Sequence, residues 1–137
     1  MKHPEFDAQV ALVALLRLSG IPFSGSLNGV RLTKAQAGKA KAAGMEAGDP
    51  DLIIWQPPPV FRLLNSACPG MAIEMKAPEL KPKTERAGEF SGARPEQRAR
   101  LEMLRSFGWH CVVAYGAQDA VDKIQAAGYR LPLMPKG

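Results

Sequence analysis

The chain is short of cysteine, of long apolar runs and of any repeated or low-complexity segment, and each shortage closes a class of explanation. Its 137 residues hold only Cys68 and Cys111, with no Cys-x-x-Cys spacing, which excludes a disulfide scaffold and a cysteine-ligated zinc site. Free thiols of this kind fit a reducing, cytoplasmic setting. The longest apolar stretch, Val10 to Leu16, falls well short of the roughly 18 residues of a membrane span. No basic region precedes it and no cleavage site follows it, so neither an anchor nor a secretory signal is expected. Without repeats, the chain reads as one domain over residues 1–137, long enough to bury a core.

Charge is present in excess and unevenly placed. The net value is +5, from 18 Lys and Arg against 13 Asp and Glu. Residues 31–46 carry Arg31, Lys34, Lys39 and Lys41 against Glu46 alone, a net +3. Residues 76–105 carry eight basic residues against five glutamates, again +3. Between them, residues 47–75 set Asp49, Asp51 and Glu74 against Arg62, a net −2. An acidic centre flanked by basic stretches suits a phosphate-backbone binder with a metal-holding middle. Solubility alone also accounts for a surplus of this size.

The hydrophobic periods predict alternating helices and strands. A first helix runs from about Pro4 to Leu18, with Pro4 at its start and Glu5 and Asp7 at its positive end, and Gly20 and Pro22 stop it. Its apolar stripe through Leu12 and Leu16 passes back to Gln9 and Glu5, which puts both polar groups at the head of the packing face. Thr33 caps a short helix over Lys34 to Ala43, poor in large apolar residues, whose lysines therefore face outward. Asp51 to Trp55 and Met71 to Lys76 read as strands, ended by Pro57 and Pro78. Residues 57–69 are a connection with a short extended piece near Val60 to Leu64, and 77–94 a charged loop, mobile without a ligand. Pro95 opens a helix to Phe107, with Gln97 on the stripe of Leu101 and Leu104. Trp109 to Tyr115 is a strand covered on both faces, and Ala117 to about Ala127 a last helix. The result is an α/β fold with a partly parallel sheet. His110 reads as a core or edge histidine, and Trp55 and Trp109 as core or rim.

Glu74 and Lys76 stand two residues apart on one strand and so share a face, with Ala72. Asp51 enters the neighbouring strand directly after a Gly-Asp-Pro turn. If the two strands pair, both carboxylates converge, and two carboxylates with backbone oxygen and water are what Mg²⁺ or Mn²⁺ requires. A lysine beside such an ion can orient a water or steady charge on a phosphate. Taken singly, Asp51 is also an ordinary turn residue, and Glu74 with Lys76 an ordinary solvated pair.

Pro50-Asp51 followed by Glu74-Met75-Lys76 resembles the PD-(D/E)XK nuclease signature. The flanking words are more specific: Gly48-Asp49-Pro50-Asp51-Leu52-Ile53, Ala72-Ile73-Glu74-Met75-Lys76, Pro95-Glu96-Gln97 and Phe107-Gly108-Trp109. In that order they resemble the VRR-NUC family, of the stand-alone kind found in phages and bacteria, over about residues 4–128. The resemblance implies a restriction-endonuclease-like fold, a mixed central sheet flanked by helices, in a protein of the bacterial or phage-infected cytoplasm. It implies that Asp51 and Glu74 hold Mg²⁺ or Mn²⁺ with the backbone carbonyl of Met75, and that Lys76 is the catalytic lysine. Gln97 matches the glutamine after the catalytic strand, and Glu5 the acidic residue of the first helix, with Asp7 a competing choice. Asn28 and Arg31 resemble the family's polar turn toward DNA. Lys34, Lys39, Lys41, Arg94 and Arg98 are candidate phosphate contacts, with Lys81, Lys83 and Arg86 behind them.

The implied activity is metal-dependent hydrolysis of DNA phosphodiesters, selective for structure as in Holliday-junction resolvases and carried out by a homodimer. A flap- or nick-directed nuclease, or a DNA-binding module of the same fold without catalysis, are the alternatives. The proline-rich connection after Asp51 and the charged insert after Lys76 depart from the family pattern and bear on substrate geometry.

Overall fold

The structure is a computed structural model that describes residues 4–27, 30–84 and 88–132. Its elements are α1 (Pro4–Ser19), β1 (Phe23–Gly25), α2 (Lys34–Ala42), β2 (Leu52–Ile54), α3 (Pro59–Leu63), β3 (Met71–Lys76), a single 3-10 turn (Pro78–Leu80), α4 (Pro95–Ser106), β4 (His110–Tyr115) and α5 (Ala117–Ala126). The four strands form one sheet in the order β1-β2-β3-β4, antiparallel except for the parallel pair β3 and β4. This is the α/β fold with a partly parallel sheet that the alternation of patterns predicts, and the mixed sheet flanked by helices that the resemblance implies. Among the described residues no helix is long and apolar enough to cross a membrane.

Strand alternation divides the sheet into two faces. Leu52, Ile54, Met71, Ile73, Met75 and Ala114 point to one side, where Leu12, Leu15 and Leu16 of α1 and Val121 and Ile124 of α5 complete the main core. Ala72, Val113 and Tyr115 point to the other, beneath Leu101 of α4 and Phe90 of the preceding loop. By the same alternation, Glu74 and Lys76 fall on the α4 face. α2 buries none of its residues. It is held by a capping box, in which the Thr33 hydroxyl accepts from the Gln36 N–H (3.2 Å) and Gln36 Oε1 accepts from the Thr33 N–H (2.9 Å).

Four local expectations are corrected. β1 is a strand in the stretch between Pro22 and Thr33, where the hydrophobic periods predict no element; three residues are too few to show a period, and their pairing with β2 makes them a strand. The stretch near Val60 is the short helix α3, started by Pro59 in its first turn, and not extended chain. β4 is an edge strand whose first half is only partly covered. Of the charged loop, the stretch 88–94 next to α4 is anchored: Phe90 and Ala93 are buried, and the Tyr115 hydroxyl donates to the Ser91 carbonyl.

The outer edge of β4 is closed over part of its length by its own next helix. Asp119 Oδ2 accepts from the Tyr115 N–H at 2.8 Å, and Lys123 Nζ donates to the Val113 carbonyl. At the other end of the sheet, Gly70 lies against β2. A Cβ added there would stand 2.1 Å from the Ile54 carbonyl oxygen and 2.8 Å from Trp109 Cζ3, a ring that meets Trp55 edge-on. Gly70→Ala is therefore expected to cost about 3 kcal/mol, the upper range for forcing volume into a packed interior. Its urea midpoint, set against that of Gly38→Ala on open α2, checks this; equal midpoints would contradict the packing described.

Candidate active site

Five polar or charged residues are buried among the described residues: Gln9, Asp51, Glu74, Lys76 and Gln97. A buried ionisable group is costly unless its surroundings compensate it. Here four of the five are tied by hydrogen bonds that meet at one end of the sheet, on or beside its α4 face.

Asp51 is delivered by the turn before β2. Gly48 has a φ of 93°, and a side chain there would meet the Glu96 carbonyl at 2.7 Å, so the turn seats directly against the start of α4. Asp49 Oδ2 then accepts from the Glu46 N–H (3.0 Å), while its Oδ1 pairs with Arg100 (3.2 Å). Asp51 follows, and its Oδ2 accepts the Met75 N–H at 2.7 Å. The Lys76 carbonyl accepts from Gly116, on the β4 side, so the polar groups of Met75, one residue earlier, face the β2 side with Asp51. The Met75 carbonyl thus leaves toward the same space as the Asp51 carboxylate. From α1, Gln9 Nε2 donates to the Asp51 carbonyl (3.3 Å) and the Ser26 carbonyl (3.5 Å).

Glu74 is held from α4. The Arg94 backbone N–H donates to Gln97 Oε1 (2.9 Å), which fixes the amide so that Gln97 Nε2 donates to Glu74 Oε1 (2.9 Å). Glu74 Oε2 is buried with no hydrogen-bond partner. Burial, then the charge of Asp51 beside it, push the Glu74 carboxyl up to about 9, against the pull of Lys76. Burial raises Asp51 as well, despite the Met75 N–H and the neighbouring Lys76. The charge of half-buried Glu5, in the first turn of α1, adds to both shifts. Asp7 is exposed.

The residues named from sequence thus separate into two groups. Asp51, Glu74, Lys76, Met75 and Gln97 lie together, with Glu5 close enough to be felt. Arg31, Lys34, Lys39, Lys41, Arg94 and Arg98 are exposed, and of these Arg94 and Arg98 stand at the start of α4 beside Gln97. Arg94 pairs with Glu96 (3.3 Å), and the Arg98 guanidinium reaches the Ala93 carbonyl (3.5 Å). Asn28 and Arg86 lie outside the described residues. Arg100 was not singled out: its partner Asp49 is 51 positions away, and no local pattern joins them. The part played by the Arg94 backbone was also missed, although Arg94 standing three residues before Gln97 is the spacing of a helix cap. Among the described residues no cluster of three or more His, Cys, Asp and Glu side chains is placed to hold a metal ion. The available donors are therefore two carboxylates and a backbone carbonyl. A cavity of about 500 Å³ along the β4 edge, lined in part by Phe61, Cys68, Trp109 and His110, contains none of the five buried polar residues. Cys68 and Cys111 are free thiols, and burial depresses the His110 imidazole.

A solved structure described as a VRR_NUC domain protein superposes on 91% of this chain and 88% of its own, with a TM-score of 0.59 and 26% sequence identity. The fold is VRR_NUC-like. No protein-family model and no curated protein matches the sequence. The VRR_NUC likeness suggests a nuclease-family domain.

Proposed function

We propose that the chain is a metal-dependent DNA endonuclease of the PD-(D/E)XK type, acting on branched or otherwise structured DNA. The observation that carries this reading is the meeting of Asp51, Glu74, Lys76 and Gln97 at one buried point, with Glu74 Oε2 left unpartnered. An orphaned carboxylate oxygen beside a second carboxylate suits a hard divalent cation, which takes oxygen ligands and keeps several waters. Asp51, Glu74 and the Met75 carbonyl would hold Mg²⁺ or Mn²⁺, which when bound supplies Lewis-acid polarisation of a phosphate and a water of lowered pKa.

The chain's own groups then have distinct tasks. The Lys76 ammonium donates to a phosphate oxygen or to the attacking water and offsets charge gathering on phosphorus. Gln97 is a positioning residue: it occupies Glu74 Oε1 and leaves Oε2 for the ion. Gln9 fixes the backbone that carries Asp51, and Glu5 adds negative charge that favours a cation. Arg31, Lys34, Lys39, Lys41, Arg94 and Arg98, with Asn28, track the DNA backbone and supply affinity without sequence. Two copies acting as a homodimer would cut the paired strands of a four-way junction.

A labelled panel of four-way junction, flap, nicked, single-stranded and plain duplex DNA, incubated with Mg²⁺ or Mn²⁺ and with chelator, tests the proposal. Metal-dependent cutting of branched DNA by a dimer is the expected result. Preference for flaps or nicks by a monomer would replace the junction reading, and binding without cutting in either metal would make the chain a non-catalytic DNA-binding module.

A further inference from the structure

α4 packs against β3 and β4, and beside that contact its Arg100 and Leu104 face Ile53 of β2 and Ser24 of β1 across an opening. The opening is a cleft of about 290 Å³, bordered by Ser24, Ser26, Asp49, Ile53, Arg100 and Leu104. Its place relative to the site follows from register. Ser24 stands opposite Ile53, and Ile53 opposite Ala72. One step along, the Ser26 N–H bonds the Asp51 carbonyl at 2.9 Å, and continuing the register sets Asp51 opposite Glu74. Cleft and carboxylates therefore share one face in successive rows, two residues or about 6.6 Å apart.

The lining selects its occupant. Ile53 and Leu104 give an apolar floor, Ser24 and Ser26 a polar rim, and the Asp49–Arg100 pair (3.2 Å) a rim with no net charge. The Ser24 hydroxyl accepts the Trp55 indole N–H at 2.9 Å and keeps its own proton to donate. A phosphate gains little there, because Asp49 already neutralises Arg100. A flat ring, apolar on its faces and polar at its edges, matches every wall. The volume lies just under the roughly 300–1,000 Å³ of pockets for drug-sized ligands, a size that suits one ring system.

Building on the nuclease reading, we propose that this cleft receives one unpaired nucleobase of the strand being cut, beside the scissile phosphate. A base cannot enter while stacked and paired, and extruding it costs a few kcal/mol, least where it is already unpaired. The cleft then makes cutting selective for branches, flaps and gaps with no base-reading module, the structure selectivity that the neighbouring carboxylates and lysine do not supply.

The test uses the DNA structure that the wild type cuts best. Abasic residues are placed one at a time on either side of the cut, and the same set is given to Ser24→Phe. This phenyl would fill the cleft from an exposed edge strand, opposite Ile53, a cross-strand pairing that sheets favour. Single-turnover rates should fall about tenfold at one abasic position next to the cut, the usual worth of one stacked base. Ser24→Phe should lose a similar factor on intact DNA and nothing further on that abasic DNA. Rates within about twofold at every abasic position, by an enzyme that cuts, would overturn the base subsite and leave the nuclease standing, whatever Ser24→Phe does. Failure of the wild type to cut any DNA would overturn the nuclease reading, and the subsite with it.

Discussion

Lys76→Met is expected to bind DNA as the wild type does and to cut it about a thousand-fold more slowly, roughly 4 kcal/mol of lost transition-state stabilisation. The size follows from where the charge sits. Lys76 is only 6% exposed, on the same face as Glu74, and it acts electrostatically on both carboxyls. In such a site an ammonium interacts with developing charge far more strongly than it would in water. Methionine keeps the unbranched apolar stem, so the packing of the end of β3 survives and the lost rate reports the ammonium alone. Single-turnover cleavage at saturating metal, beside filter binding of the same DNA, is the measurement. Cutting within about fivefold of wild type would remove Lys76 from the chemistry.

The second large effect is on stability and concerns Glu74. In the metal-free protein its carboxyl is pushed up to about 9, whereas in the unfolded chain it titrates near 4.5. Across that window the folded state holds a proton that the unfolded state has released. The stability this proton confers is complete below about pH 4.5 and is lost as pH rises through 9. Asp51, raised for the same reason of burial, acts in the same direction. Metal-free wild type should therefore become steadily less stable from pH 5 to 9, with Glu74 contributing at most about 1.4 kcal/mol per pH unit. Glu74→Gln removes the larger of the two titrations: its stability, read from urea midpoints, should fall with pH less steeply than the wild type's and, at pH 8, exceed it by about 2 kcal/mol. Mn²⁺ at about a hundred times its Kd should restore roughly 2.7 kcal/mol to the wild type and nothing to the variant. A wild-type midpoint that climbs with pH would mean that Glu74 is ionised without metal.

What the sequence discloses here, and what it hides, divides by range. Glu74 and Lys76 share a face by strand period, and Gln97 falls on the buried stripe of its helix by helical period, so each could be placed from neighbours a few residues away. The Thr33 cap and the outward lysines of α2 follow from equally local rules. The strand character of Phe23 to Gly25 is conferred by β2, some thirty positions later, and α3 hides in a proline-rich stretch that also suits extended chain. The docking of the loop by Phe90 and the Asp49–Arg100 pair depend on tertiary contacts that leave no periodic trace. The cleft of the further inference is bordered by that same pair, and only the folded chain reveals it.

The closure of β4 by Asp119 and Lys123 bears on how the molecule behaves while it is being made. An unpaired strand edge is a template for joining another chain, and newly synthesised protein is most exposed to that hazard. The two guards stand four and ten residues after the groups they cover, in the helix that directly follows the strand. At ordinary translation rates that segment is added within about a second or two of the strand itself. The edge is thus open to a neighbouring nascent chain only briefly, and its protection against aggregation is encoded in the order of synthesis as much as in the finished fold.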